Sequence, residues 1–345
     1  MKILITGNLG YIGPVVVRHL RDVFRGATLI GFDSGFFKEN LIDREKFPDE
    51  RIDEQQIGDV RRISSEALVG VDVVVQLAAI SNDPMGKEFE RPTKEINADA
   101  SVQLAKEAKR AGVRQFIFAS SCSVYGAGGE SAKNEESALD PLTAYARSKV
   151  EAEKELKNIA DKEFVVTCLR FATACGFSPR MRFDLVLNDF VASALATGRI
   201  EILSDGTPWR PLIHVKDMAR AIEWAILRQK GEAFLVLNVG SDEWNYQVRQ
   251  LAAAVQQEIG NTTLSINENA APDKRSYRVD FSLFKRLAPM HQPRETLHSA
   301  VKEIAEKLRS CGFSDTNFRS SEYIRLKVLK DLREKGKLTD SLYWA

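Results

Sequence analysis

The chain has 345 residues, 44% hydrophobic and 28% charged, enough for about two domains or one large α/β unit with an appended lobe. Lys and Arg total 49 against 48 for Asp and Glu, so there is no net field to draw in a nucleic acid or a membrane surface. The four cysteines, Cys122, Cys168, Cys175 and Cys311, lack C-x-x-C spacing and a neighbouring histidine cluster, which argues against zinc and against a disulfide framework.

Short apolar runs alternate with amphipathic stretches through the first half, the mark of a parallel sheet covered by helices. MKILITG leads directly into a strand over 2–6, without a signal segment, and no apolar run approaches ~18 residues, so a soluble cytoplasmic protein is expected. A helix over 11–24 and strands over 28–33 and 55–58 follow. VDVVVQL, at 71–77, is an uninterrupted β-branched run suited to a strand buried on both faces. A long helix over 94–111 ends at Gly112, and a strand over 113–120, a helix over 142–161 and a strand over 164–171 complete the regular pattern. Beyond Ala172 the pattern is irregular: a helix over 183–197, strands near 200–203, 212–215 and 233–239, and two amphipathic helices over 295–309 and 320–335. Asp217 is placed to cap a helix over 218–228.

The first strand runs into Thr6-Gly7-Asn8-Leu9-Gly10-Tyr11-Ile12-Gly13. Gly7 permits a tight turn, Gly10 lets a pyrophosphate approach the backbone, and Gly13 allows close helix–strand packing. The anion then meets the free N–H groups and positive dipole end of the helix. Asp33 closes the second strand twenty residues after Gly13; a carboxylate there accepts hydrogen bonds from the adenosine ribose and repels a 2′-phosphate, favouring NAD over NADP. Asp59, in Gly58-Asp59-Val60, is open to two readings, a contact to the adenine amino group or a helix N-cap.

Tyr145 and Lys149 are i,i+4 neighbours on one face of a helix. A tyrosine with pKa near ~10 is a poor base at neutral pH, and a lysine charge beside it, with a positive nicotinamide ring, favours the phenolate. Tyr-x-x-x-Lys alone says little; Ser120-Ser121-Cys122-Ser123-Val124-Tyr125-Gly126, at the carboxyl end of a strand where open α/β sheets bind ligands, gives it meaning.

In this order, TGxxGxxG, Leu77-Ala78-Ala79, Ser-Ser-x-x-Val-Tyr-Gly and Tyr-x-x-x-Lys, the motifs resemble those of the extended short-chain dehydrogenase/reductases, within them the nucleotide-sugar epimerase/dehydratase group. The resemblance spans nearly the whole chain. It implies Tyr145 as catalytic base, Lys149 as its partner and ribose ligand, and Ser121 as the group that polarises the sugar hydroxyl. It places Leu77-Ala78-Ala79, Ser120 and Phe171 by the cofactor, although Gln76 stands where His usually precedes Leu. Trp209-Arg210-Pro211-Leu212-Ile213-His214-Val215-Lys216-Asp217 resembles the family's R-D-[YF]-[IV]-H-V-x-D segment, in which the arginine contacts the substrate diphosphate. Arg275 is a second candidate clamp, and Asn188 and Thr173 are candidate substrate contacts; His214 reads as a packed strand residue.

Three features bear on the subfamily. Sugar 4,6-dehydratases carry Asp-Glu where this chain has Cys122-Ser123, which argues against dehydration. Epimerase/reductases acting on GDP-4-keto-sugars have a cysteine at the position of Ser123, and Cys122, one place early, reads as structural although it borders the substrate positions. Ser81 and Asn82, in Ile80-Ser81-Asn82-Asp83-Pro84, either tune sugar recognition or form a turn.

The expected fold is α/β, a Rossmann-type doubly wound parallel sheet with a smaller interleaved C-terminal substrate-binding lobe. Residues 1–171 form the NAD-binding part, 212–240 return to it, and 172–345 mainly form the second lobe. The leading functional expectation is an NAD-dependent nucleotide-sugar 4-epimerase, with a dehydrogenase or 4-ketoreductase as rival and a homodimer as the family's usual assembly. A non-catalytic dinucleotide sensor is the third reading, against which the intact Ser121, Tyr145 and Lys149 speak.

Overall fold

The apolar runs of the first half pair side by side in the computed structural model, which describes residues 1–43, 51–127, 129, 131–228, 231–270 and 276–345. The strands in chain order are β1 (Lys2–Thr6), β2 (Thr28–Asp33), β3 (Glu54–Ile57), β4 (Val73–Gln76), β5 (Gln115–Ser121) and β6 (Val165–Phe171). The later ones are β7 (Thr173–Cys175), β8 (Arg199–Ile202), β9 (Trp209–His214), β10 (Phe234–Val239), β11 (Asn245–Gln247) and β12 (Thr263–Ile266). Among the described residues a seven-stranded sheet has the order β10-β6-β5-β4-β1-β2-β3, every pair parallel. Successive β-strand side chains point to opposite faces, and both faces are covered. Ile3, Ile5, Val73 and Val75 pack under helices Gly13–Val23 and Val215–Leu227, whereas Leu4, Val74, Phe116 and Phe118 pack under Ala100–Arg110 and Ala144–Ile159.

The direction of strand order reverses at β1, whose neighbours are β2 and β4, and this opens a crevice at their carboxyl ends. The later strands divide. β10 pairs with β6 and extends the main sheet, while β9 joins β7 and β11 in a small separate sheet and β8 pairs with β12. Of the two strands in the segment expected to return, only β10 joins the main sheet, while its helix Val215–Leu227 covers one face of that sheet.

Two local expectations are corrected. Helix Val215–Leu227 begins earlier than read, because His214 Nδ1 takes the N-cap role by accepting from Lys216 N at 3.1 Å. Asp217 lies in the first turn and accepts instead from the backbone N–H groups of Arg294 (2.9 Å) and Glu295 (3.1 Å), tying this helix to the C-terminal segment. The long helix of the first half starts at Glu90 and carries a π-helical turn over Glu95–Asp99. That turn presents Asn97, which accepts from Ile80 N (2.8 Å) and donates to Ile80 O (2.9 Å) and Ser148 Oγ (3.1 Å), fixing the loop after β4 against helix Ala144–Ile159. Among the described residues no helix is long and apolar enough to cross a membrane, and no His, Cys, Asp and Glu group stands ready to hold a metal.

A buried polar network fastens the three elements that carry the signature residues. Arg170 on β6 grips Glu153 of helix Ala144–Ile159, Nη2 to Oε2 at 2.6 Å and Nε to Oε1 at 3.0 Å. Ser120, at the end of β5, donates to the same carboxylate at 2.5 Å. Arg170 Nη1 donates to Tyr125 OH at 3.0 Å, and Tyr125 donates to Asn238 Oδ1 on β10 at 2.7 Å. Arg170 and Glu153 are each 5% exposed, so removing one partner strands the other charge away from water. Arg170→Met should destabilise the fold by about 3–5 kcal/mol, and the double variant with Glu153→Leu should recover much of that loss. Denaturant unfolding of the four proteins of the cycle measures this; additive losses would mean that the two charges do not depend on each other.

Candidate active site

The crevice at the carboxyl edge is a cleft of about 580 Å³. Its floor at one end is the first turn. Gly7 has φ +70°, and a Cβ there would lie 2.6 Å from Ala78 N, so both the left-handed backbone and the approach to the next loop need glycine. Gly13 is pressed against the backbone of Asn8, so its role is to seat the turn on the helix rather than the helix on the strand. Gly10, Tyr11 and Ile12 line the cleft, and the helix that follows has no side-chain cap. An uncapped N-terminus behind a glycine cradle suits a pyrophosphate. These residues fit NAD.

Not every residue of the turn faces the cleft. Asn8 is buried and donates to Gln55 Oε1 at 2.6 Å, and Leu9 is buried with its N–H given to Asp33 Oδ2 at 3.0 Å. They shape the turn from behind, which corrects their expected contact with the cofactor. Asp33 lines the cleft, with Oδ1 accepting from Gly35 N at 2.7 Å; burial raises its pKa. Asp59 caps the turn Val60–Arg62, accepting from Arg61 N at 2.9 Å, and with Val60 it also borders the cleft. Leu77, Ala78 and Ala79 line the middle, and Gln76 beneath them hydrogen-bonds Thr6 and Ser101.

Ser120, Ser121, Ser123, Tyr145, Lys149, Phe171 and Thr173 all line the cleft. Thr143 caps helix Ala144–Ile159 by accepting from Ala146 N at 3.1 Å, and this sets Tyr145 at the mouth of the first turn. Ser121 accepts from Ser123 N at 3.1 Å as the cap of the turn Cys122–Tyr125, and its side chain favours the ionised form of the Tyr145 phenol. Lys149 Nζ donates to Ala119 O at 2.8 Å and lies 5.7 Å from the centre of the Tyr145 ring. Burial pushes the Tyr145 phenol up to about 12 and the Lys149 ammonium down to about 8. Arg182 is a further cation whose charge favours the Tyr145 phenolate, one that the i,i+4 spacing does not reveal.

Arg182 was not singled out in the sequence. It lines the cleft, donates through Nη1 to Ser81 Oγ at 2.9 Å, and pairs with Asp184 at 2.8 Å. Asp184 in turn accepts from Asn82 Nδ2 at 2.6 Å, while Asn82 Oδ1 caps the short helix Asp83–Glu88. The loop after β4 is thus both a turn and a wall of the cleft. Arg210 and Tyr277 also line the cleft.

Cys122 and Asn188 do not line the cleft. Cys122 is buried beneath it and donates to Arg170 O at 3.1 Å. Asn188 is fully buried: Oδ1 accepts from Gly176 N at 3.1 Å, and Nδ2 donates to Tyr11 OH (2.9 Å) and Arg182 O (3.0 Å). Its amide is consumed in holding two cleft-lining residues, which corrects its expected contact with substrate. Arg275 lies outside the described residues.

The model of the NAD dependent epimerase/dehydratase family matches residues 3–240. The chain is 27% identical to a Bacillus subtilis protein described as an uncharacterized UDP-glucose epimerase, YtcB, over 88% of this chain and 97% of that one. It is 26% identical to the UDP-glucose 4-epimerase of the same organism over 75% of this chain and 83% of that one. Among solved structures, MoeE5 in complex with UDP-glucose and NAD superposes with a TM-score of 0.76 at 25% identity, covering 90% of this chain and 99% of that one. With the motif order and the cradle described above, the chain belongs to the NAD dependent epimerase/dehydratase family and is an NAD-dependent enzyme.

Proposed function

We propose that the chain is a 4-epimerase of a sugar carried on a nucleoside diphosphate. The observation that carries this reading is that Ser121, Tyr145 and Lys149 line one cleft with the dinucleotide cradle. The curated relatives named as UDP-glucose 4-epimerases support the substrate class. NAD, when bound, supplies a reversible hydride acceptor beside the sugar.

In this reading Tyr145 removes the proton of the 4-hydroxyl, and Ser121 holds that hydroxyl and steadies the oxygen as it becomes a ketone. Lys149 orients the nicotinamide ribose, and Asp33 accepts from the adenosine ribose. Arg210 meets the substrate diphosphate. Ser123 Oγ is buried without a hydrogen-bond partner among the described residues, so it is available to a sugar hydroxyl. Cys122 beneath the cleft and Ser123 within it leave no acid next to Ser121 of the kind a dehydratase carries. The division into an NAD-binding part over 1–171 and a substrate lobe beyond it, the homodimer and the cytoplasmic setting belong to the same reading.

Proton NMR on UDP-, GDP-, CDP- and dTDP-sugars tests the reaction. Interconversion of a pair of C4 epimers without added NAD is expected. A stoichiometric requirement for added NAD or NADH would make the enzyme a dehydrogenase or 4-ketoreductase instead. Tyr145→Phe should lower kcat by about a hundred- to ten-thousandfold with the fold intact; nearly full turnover would remove the phenol from the mechanism. Arg182→Met takes a positive charge away from the phenol, which raises the pKa of Tyr145. The limb of the kcat–pH profile that rises as the phenol ionises should therefore move to higher pH. An unchanged limb would show that Arg182 has no electrostatic hold on Tyr145.

A further inference from the structure

The C-terminal segment beyond the family match wraps the adenosine end of the cleft. Arg61 Nη1 donates to Ser341 O at 2.7 Å and its guanidinium lies 3.5 Å from the centre of the Tyr343 ring. Trp344 Nε1 donates to Ser34 O at 2.7 Å, one residue past Asp33, and Tyr323 OH donates to Leu41 O at 3.3 Å. Between these anchors stands Arg325, the first residue of helix Arg325–Glu334.

Arg325 lines the cleft yet is only 2% exposed. Nη2 donates to Arg180 O at 3.0 Å and the guanidinium lies 4.3 Å from the centre of the Phe37 ring, but Nη1 has no hydrogen-bond partner among the described residues. Its charge is felt by Asp33 on one side and interacts with Arg182 and Asp184 on the other. A buried guanidinium with an unmatched donor is costly unless an anion meets it. Along the cleft, Asp33 marks the ribose of the adenosine half, and Arg182 stands by Tyr145 at the nicotinamide half. The part of a dinucleotide that spans from one to the other is its diphosphate, which also has to reach Gly10, Tyr11 and Ile12.

We infer that Arg325, supplied by the C-terminal segment, binds the diphosphate of NAD opposite the glycine turn. The turn offers N–H groups and a helix dipole; Arg325 adds the full charge and the planar pair of donors that a diphosphate accepts best. The inference rests on NAD occupying this cleft and is independent of which reaction the cleft performs.

Titration calorimetry of the full chain, freed of bound nucleotide, with NAD, ADP and adenosine tests it. Arg325→Met keeps the aliphatic contact and removes the charge. Its affinity for NAD and for ADP should fall roughly tenfold to a hundredfold, with adenosine affinity unchanged. Its ligand-free Tm should equal or exceed that of the parent, and its rise in Tm on adding NAD should be smaller. Affinities for NAD and ADP within threefold of the parent would overturn the inference, as would an equal loss for adenosine, which would move Arg325 to the nucleoside. Should Arg325→Met be too unstable to titrate, Arg325→Gln decides on the same thresholds, since it also removes the charge while keeping a polar side chain. These are binding readouts, so failure of the epimerase reading leaves them unaffected.

Discussion

The ion pair of Arg170 and Glu153 is the constraint on which the geometry of the cleft depends. It is buried, and its carboxylate is shared with Ser120. One residue after Ser120 comes Ser121; one and two helical turns before Glu153 come Lys149 and Tyr145. The pair thus fixes the distance between the end of β5 and the helix that bears Tyr145, and it does so with directional bonds rather than with packing alone. Tyr125 and Asn238 extend the same network to β10, so the strand that joins the sheet from late in the chain is locked to the same point. A hydrophobic pair of similar volume would stabilise as well, but would not specify the register of Ser121 against Tyr145. Cys122 fits this picture: its thiol caps Arg170 O from below and keeps Ser121 and Ser123 turned into the cleft.

Depth has a chemical cost that the surrounding charges offset. Burial moves three groups of the cleft toward their neutral form: Tyr145 up, Lys149 down, Asp33 up. Against this stand the Ser121 side chain and Arg182, both of which favour the phenolate. The cations lining the cleft are few and individually held, as a chain with 49 basic and 48 acidic residues requires. Arg182 is pinned between Asp184 and Ser81, and Arg325 between Arg180 O and Phe37.

How much of this was legible follows from how local each feature is. The β-branched run at 73–75 announces a strand buried on both faces, and the glycine spacing announces the turn, because each depends on residues close in sequence. The i,i+4 spacing correctly puts Tyr145 and Lys149 on one face, but it cannot say which other charges act on the phenol; Arg182 arrives from 37 residues away, out of a stretch with no periodicity to read. Asn188 misled for the same reason. It looks like a polar residue free to reach a ligand, yet Gly176, Arg182 and Tyr11 have already taken its amide. Asp217 has a carboxylate suited to a cap, but the cap is decided by where β9 ends, and β9 runs on to His214.

The C-terminal segment is the extreme of that rule. Its helices are readable from their amphipathic pattern, while its partners are not, since Arg61 meets Ser341 and Leu342 across some 280 positions. A tail that merely covered a hydrophobic face would leave polar groups satisfied or in water. This one instead buries a guanidinium with a spare donor in the same cleft as Asp33, whose carboxylate feels its charge. The opposite shifts of Tyr145 and Lys149 have the same logic: a cleft shaped for a ligand with two phosphate charges and one ring charge is electrostatically incomplete without it. The positive ring favours the phenolate that burial resists, and the diphosphate meets the buried cation that the fold leaves unmatched.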